Sequence, residues 1–171
     1  MIELVNIEKR FGNKRVLRNI NLNLQEGKVY GLFGPNGVGK TTLLKIMAGY
    51  NKKTSGEYKI NGLDFTYENK DHITFISDKE IFYGWMKIKD AVKYYKDFFT
   101  DFDEEKCLRL VKMMKLEADD KINVLSKGMK ARLKVALAIS RNAKHYLLDE
   151  PLGGLDQKKK KIILDTIKTL M

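Results

Sequence analysis

The segment of this sequence with the clearest chemical potential is a glycine-rich stretch that ends in a lysine and a threonine. Its residues are Gly34, Pro35, Asn36, Gly37, Val38, Gly39, Lys40, Thr41 and Thr42, which fit the pattern G-x-x-x-x-G-K-[ST]. In this pattern, backbone N–H groups converge on phosphate oxygens, and the glycines allow the close approach. Lys40 would reach the β and γ phosphates of a nucleotide, and the Thr41 hydroxyl would bind Mg²⁺.

A second candidate group is a pair of carboxylates, Asp149 and Glu150, which follows the apolar residues 146–148. At the end of a buried strand, Asp149 can hold Mg²⁺ through water. Glu150 is then placed to polarise a water molecule for attack on the γ phosphate. An acidic pair after a strand would equally serve as a helix N-cap, so its weight comes from the glycine-rich segment upstream. Together the two groups predict a P-loop nucleoside triphosphatase.

The apolar pattern predicts the elements that must position these groups. Strands are predicted at residues 2–7, 16–24, 29–33, 56–60, 73–76 and 146–148, with helices at 42–48 and repeatedly between 88 and 141. Strands that alternate with helices imply an α/β core. We expect one domain, with a catalytic core at about residues 1–77 and 143–171 and an inserted helical subdomain at about 78–142.

Composition bounds the class of protein. The 171 residues are 43% hydrophobic, and no apolar run approaches the length of a membrane span. The N-terminus reaches an acidic residue at once, and the single cysteine, Cys107, is expected to be a small buried apolar residue. We therefore expect a soluble, intracellular protein. The net charge of +11 comes from lysines spread along the chain, so a nucleic-acid partner is not expected.

A third motif narrows the family. Residues 125–129, Leu-Ser-Lys-Gly-Met, open a predicted helix for which Ser126 is suited to be the N-cap. Taken with residues 149–156, Asp-Glu-Pro-Leu-Gly-Gly-Leu-Asp, this motif resembles the ATP-binding cassette (ABC) ATPases. The resemblance covers nearly the whole chain, in order and at the family's compact spacing. It implies a P-loop core of ABC type with an N-terminal antiparallel β region and an inserted helical subdomain.

The resemblance also implies roles for residues outside the glycine-rich segment. Phe11 looks like the aromatic that stacks on adenine. Ser126 and Gly128 match the signature motif, which in the family contacts the γ phosphate of ATP held by a partner subunit. Asp156 matches the D-loop, which communicates between the two ATP sites. Asp78 stands near the position of the family's coupling glutamine, where it can still bind Mg²⁺ or water.

The function that the resemblance implies is ATP hydrolysis coupled to transport. The expected cofactors are ATP and Mg²⁺. The expected partners are membrane permease subunits and a second ABC ATPase subunit, at the inner face of the cell membrane. The signature Ser-Lys-Gly-Met resembles those of exporters. A non-transport ABC ATPase, acting in DNA repair or translation, and an inactive ATP-binding fragment remain alternatives.

Two further expectations concern the C-terminus of the chain and a group of aromatic residues. The family continues past the helix predicted at residues 158–170 into another core strand that ends in a histidine, whereas this chain ends at Met171. We therefore expect the last core strand to be missing and the chain alone to be inactive. The aromatic residues Phe82, Tyr83 and Trp85 are expected either to dock a transporter helix or to lie in the core or at an edge.

Overall fold

The computed structural model describes residues 1–66, 72–77, 79 and 82–151. The chain divides into two compact units, Met1–Ile73 and Thr74–Met171. Their elements are mixed α and β, as the sequence predicts. The division into a catalytic core and a helical subdomain at residues 78–142 stays a prediction.

The first unit is an antiparallel sheet with one helix. Its strands are β1 (Ile2–Phe11), β2 (Lys14–Leu24), β3 (Ser55–Ile60) and β4 (Leu63–Asp64), in the order β2-β1-β3-β4, and its helix is α1 (Lys40–Met47). Alternation in β1 buries Ile2 and Leu4 on one face. At Asn6 the backbone takes a φ of 51°, and the register shifts between Leu4 and Ile7. This bulge lets Ile7 return to the buried face.

The second unit is mainly helical. Its elements are β5 (Ile73–Ile76, which starts at the last residue of the first unit), α2 (Ile88–Phe98), α3 (Glu104–Met113), a 3₁₀ turn (Ile122–Val124), α4 (Lys127–Ile139) and β6 (His145–Leu148). Helix α4 is the most buried of them, because Leu133, Val135 and Leu137 have no exposed surface. They pack into one apolar cluster with α2 and α3, which includes Cys107 as predicted. Strands β5 and β6 are hydrogen-bonded neighbours.

One sequence prediction is wrong. Residues 29–33 do not form a buried strand: Val29 is 70% exposed and Phe33 is 91% exposed. An apolar run becomes a strand only where neighbours pair with its backbone groups. In the described sheet of the first unit, β1 already has β2 on one side and β3 on the other, and no described pairing includes residues 29–33.

The strands predicted at residues 56–60 and 73–76 both form. Strand β3 pairs with β1 and β4, whereas β5 lies beside β6. Among the described residues, no helix is both long and apolar enough to cross a lipid bilayer.

Candidate functional site

The glycine-rich segment forms a loop that curls around the ammonium group of Lys40. The Lys40 Nζ donates hydrogen bonds to the carbonyl oxygens of Gly34 at 2.7 Å and Pro35 at 3.0 Å. Helix α1 begins at Lys40, two residues before its predicted start, and Leu43 N donates to Gly39 O at 2.9 Å. The segment therefore wraps back on itself at the N-terminus of a helix, where free N–H groups and the helix dipole favour an anion.

The conformation of this loop requires glycine. Gly39 has a φ of 109° and Gly37 a φ of 80°, both in the left-handed region that L side chains avoid. A Cβ on Gly39 would lie 2.8 Å from Leu17 Cδ2 and 3.3 Å from the Val16 carbonyl oxygen of β2. The backbone of the loop thus lies against β2 at Gly39. Main-chain amides of a glycine-rich loop can bind a chain of phosphates.

Phe11 lies at the end of β1, on the hairpin next to this loop. Its ring is 49% exposed, and the Lys9 ammonium lies 4.6 Å from the ring centroid. Phe11 pairs with Lys14 across the hairpin, three positions before Leu17, the residue that touches Gly39. At about 3.3 Å per residue, this separation along β2 is roughly 10 Å. The first unit therefore brings the phosphate loop and the candidate base-stacking ring to the same end of β2.

The carboxylate pair follows β6 in the second unit, as predicted. Asp149 is only 2% exposed, and its backbone N–H donates to Ile76 O of β5 at 2.9 Å. Glu150 is exposed and has a φ of 47°, an uncommon conformation for a residue with a side chain. The two carboxylates therefore differ sharply in environment: one is held in the sheet and the other reaches solvent.

Each unit has a side chain of the type that Mg²⁺ prefers. The Thr41 hydroxyl in the first unit and the Asp149 carboxylate in the second are both hard oxygen ligands, and phosphate oxygens and water are the other ligands that Mg²⁺ takes with a nucleotide. The described residues contain no cluster of three or more His, Cys, Asp or Glu side chains that would hold a metal ion by themselves.

The signature motif starts helix α4. The Ser126 Oγ accepts a hydrogen bond from Met129 N at 3.2 Å, so the predicted N-cap is confirmed. Ser126 is exposed and Gly128 is half-buried in the first turn. The exposed start of a 13-residue helix is suited to meet an anion presented by another molecule. Asp78 and Asp156 lie outside the described residues.

Two lysines that contact functional parts of the chain were not identified from the sequence: Lys9, beside Phe11, and Lys134, in α4. Lys9 touches the Phe11 ring, and the only signal for it is the i, i+2 spacing that puts both side chains on one face of β1. Lys134, in the middle of α4, donates to the carbonyl oxygens of Ser77 at 3.3 Å and Lys79 at 2.5 Å. These partners are more than fifty residues away in sequence, so no local pattern reveals them.

The sequence model of the ABC transporter family matches residues 17–153 of this chain. That span includes the phosphate loop, the signature motif and the carboxylate pair. The chain belongs to the ABC transporter family.

Curated relatives of this ABC protein are ATP-binding proteins of transporters. It is 33% identical to the uncharacterised ABC transporter ATP-binding protein YdbJ of Bacillus subtilis, over 99% of this chain and 57% of YdbJ. It is 34% identical to the lantibiotic transport ATP-binding protein SrtF of Streptococcus pyogenes, over 91% of this chain and 69% of SrtF. It is 33% identical to the spermidine/putrescine import ATP-binding protein PotA of Spiroplasma citri, over 99% of this chain and 51% of PotA. The chain thus spans about half to two thirds of the length of these relatives.

Solved structures of the same family confirm the fold. The cassette MJ0796, in a dimeric post-hydrolysis state bound to ADP and Pi, matches 99% of this chain with a TM-score of 0.85 and 28% identity, and 82% of the cassette is covered. A second dimeric structure of this bacterial ABC transporter cassette matches equally well, with 29% identity. The fold of this ABC protein is therefore that of an ATP-binding cassette.

Proposed function

We propose that this chain is the ATP-binding and ATP-hydrolysing part of an ABC transporter, which drives export through partner membrane permease subunits. The observation that carries the proposal is the loop at residues 34–40. Its backbone is held by left-handed glycines, it curls around one ammonium group, and it ends at a helix N-terminus. In this arrangement a triphosphate would replace the loop's own carbonyl oxygens as the partner of Lys40.

Each group then has a distinct task. Lys40 and the amides of the loop neutralise and orient the β and γ phosphates. Thr41 and Asp149 would hold Mg²⁺, which screens the charge that develops on the phosphates when it is bound. Glu150, the exposed carboxylate, orients a water molecule and accepts its proton as the water attacks the γ phosphate. Phe11 stacks on the adenine base.

The site is completed by a second copy or a similar subunit. Ser126 and Gly128, at the start of α4, would contact the γ phosphate bound by the partner, and Asp156 would contribute from the D-loop. Two observations support this assignment: the signature residues are accessible at a helix N-terminus, and the related cassette MJ0796 is dimeric with ADP and Pi. Closure of the pair around ATP would move the permease.

Export is proposed from the signature Ser-Lys-Gly-Met, residues 126–129. The relative SrtF is named for lantibiotic transport, whereas PotA is named for import. Tyr83 and Trp85 would form part of the permease-binding surface. They stack with centroids 6.2 Å apart and are 62% and 68% exposed, so the alternative of a core position is excluded for both.

The proposal is tested by replacing the lysine of the phosphate loop. Lys40→Ala removes one positive charge about 4 Å from the phosphates, which is worth on the order of 4 kcal/mol at an effective dielectric constant of 20. We expect ATP affinity to fall by roughly a thousandfold. Lys28→Ala removes an exposed lysine before the loop and is the matched control. Binding is measured by equilibrium dialysis with Mg²⁺, and turnover by phosphate release on the same samples.

Three experimental outcomes distinguish the proposed function from its alternatives. Wild-type ATP affinity in the Lys40→Ala protein would contradict the phosphate-loop assignment. Binding without turnover in the wild-type chain would favour the inactive ATP-binding fragment. Co-purification with ribosomes or DNA, in place of a membrane permease, would favour the non-transport alternative.

A further inference from the structure

The end of β1 that carries Phe11 is hydrogen-bonded to the loop that follows α1. Three hydrogen bonds make the connection. Lys9 Nζ donates to Lys52 O at 2.7 Å, Arg10 N donates to Thr54 Oγ1 at 3.0 Å, and Thr54 N donates to Glu8 O at 2.8 Å. Two of them involve only backbone atoms on β1. The first depends on a side chain, so it can be removed without changing the strand.

Lys9 makes a second contact from the same position. Its ammonium lies over the Phe11 ring, 4.6 Å from the centroid, within the distance at which a cation is attracted to an aromatic face. Lys9 is half-buried although Phe11 is exposed, so the lysine lies on the protein side of the pair. One ammonium group thus links the backbone after α1 to one face of the exposed Phe11 ring.

We propose that Lys9 is a positioning residue for the nucleotide base: it holds the ring of Phe11 from one face so that the opposite face receives a purine. This inference rests on the proposed function, because it assigns the base-binding end of the same site. The tie to Lys52 O restricts where the ammonium can be, and the ammonium restricts the ring. A ring fixed before binding loses less rotamer entropy when the base stacks on it.

Removing the Lys9 ammonium should affect binding of the nucleotide base and not binding of the phosphates. Removing the ammonium leaves the ring free to leave its stacking position, and the loop around Lys40 is untouched because it has its own contacts. The positive charge also draws π electrons towards its own face, which makes the other face a better partner for an electron-rich base. Affinity for ATP should therefore fall while affinity for inorganic tripolyphosphate stays the same.

The experiment measures both ligands on three variants of the full chain. Lys9→Met keeps the apolar stem and removes the charge, and Lys9→Arg keeps a cation. Lys14→Met is the matched control, because Lys14 is exposed, pairs with Phe11 across the hairpin and carries the same charge. Binding of Mg²⁺–ATP is followed by calorimetry, and tripolyphosphate is measured by competition against it.

We expect Lys9→Met to lower the affinity for ATP about two- to fivefold, which is the loss that an exposed cation–π contact predicts. The affinity for tripolyphosphate should not change. Lys9→Arg should restore most of the ATP affinity. Lys14→Met should either lower the affinities for ATP and tripolyphosphate by the same factor or leave both affinities unchanged. Parallel losses of ATP and tripolyphosphate in Lys9→Met would show a general structural or charge effect and overturn the inference. An equal ratio of ATP affinity to tripolyphosphate affinity in Lys9→Met and Lys14→Met would also overturn it. Failure of the wild-type chain to bind ATP would instead overturn the proposed function, and this inference with it.

Discussion

At Gly39 the backbone of the phosphate loop lies against β2, so Gly39→Ala tests the site geometry directly. The added Cβ would lie 2.8 Å from Leu17 Cδ2, 3.3 Å from Val16 Cγ1 and 3.3 Å from Val16 O. The Leu17 methyl group can move aside by a rotamer change. The Val16 carbonyl belongs to the backbone of β2 and cannot, so the loop itself must shift.

The magnitude is the sum of three effects. An L residue at a φ of 109° costs about 1–2 kcal/mol. Crowding against a fixed backbone atom adds about 1–3 kcal/mol, by analogy with overpacking in a core. The lower entropy of alanine in the unfolded chain offsets about 0.4–1 kcal/mol. We therefore expect Gly39→Ala to lower the free energy of unfolding by about 1–5 kcal/mol.

Gly37→Ala is the matched control within the same loop. Gly37 also has a positive φ, 80°, but a Cβ there would meet nothing within 4 Å. With the same conformational cost and the same entropic offset but without the crowding, Gly37→Ala should lower the free energy of unfolding by about 0–1.6 kcal/mol. Urea unfolding followed by circular dichroism gives the free energy of each variant, and calorimetry gives ATP affinity. Equal unfolding free energies for the two variants would refute the contact between the loop and β2.

Three further predictions concern the second unit. Ser126→Ala removes the N-cap of α4 and should lower the free energy of unfolding by about 0.5–2 kcal/mol, as measured by urea unfolding. Asp101→Ala leaves the Arg141 guanidinium, whose side chain is 9% exposed, without its carboxylate, and should cost about 3–5 kcal/mol in the same assay. Burial raises the pKa of the Cys107 thiol from 9.0 to about 11. Because the unfolded chain then loses its thiol proton first, stability should fall as the pH rises from 9 through 11, by up to about 2–3 kcal/mol. Cys107→Ala should lack this component when unfolding free energies at pH 8 and pH 11 are compared.

The Asp101→Ala prediction has a control at a more exposed ion pair. Lys96→Met breaks the ion pair with Glu104, in which both side chains are largely exposed, and should change stability by less than about 1 kcal/mol. A loss as large as that of Asp101→Ala would contradict the role given to burial. A Cys107→Ala protein with the alkaline slope of the wild type would show that other groups cause it. An unchanged unfolding curve for Ser126→Ala would mean that the cap is replaced by water.

Features that depend on neighbours in the sequence were predictable, and those that depend on distant partners were not. The cap at Ser126 follows from one residue and the helix after it, and the phosphate loop from one continuous motif. Residues 29–33 have the composition of a buried strand, but a strand also needs pairing partners, which composition does not supply. The pair formed by Arg141 and Asp101 joins residues forty positions apart, so only the fold reveals it.

Helix α4 joins the signature motif at its start to contacts farther along the chain. Its first residue is capped by Ser126, which presents the signature motif. Lys134, in its middle, holds the backbone of Ser77 and Lys79 beyond β5. At its end, Ser140 O accepts from the backbone N–H of Asp103, the N-cap of α3. A 13-residue helix is about 20 Å long, and α4 packs into the apolar cluster of the second unit. If α4 moves as a rigid body, a ligand that displaces its start also displaces its contacts with Ser77, Lys79 and Asp103, whereas a ligand bound to a loop would move only the contacts of that loop.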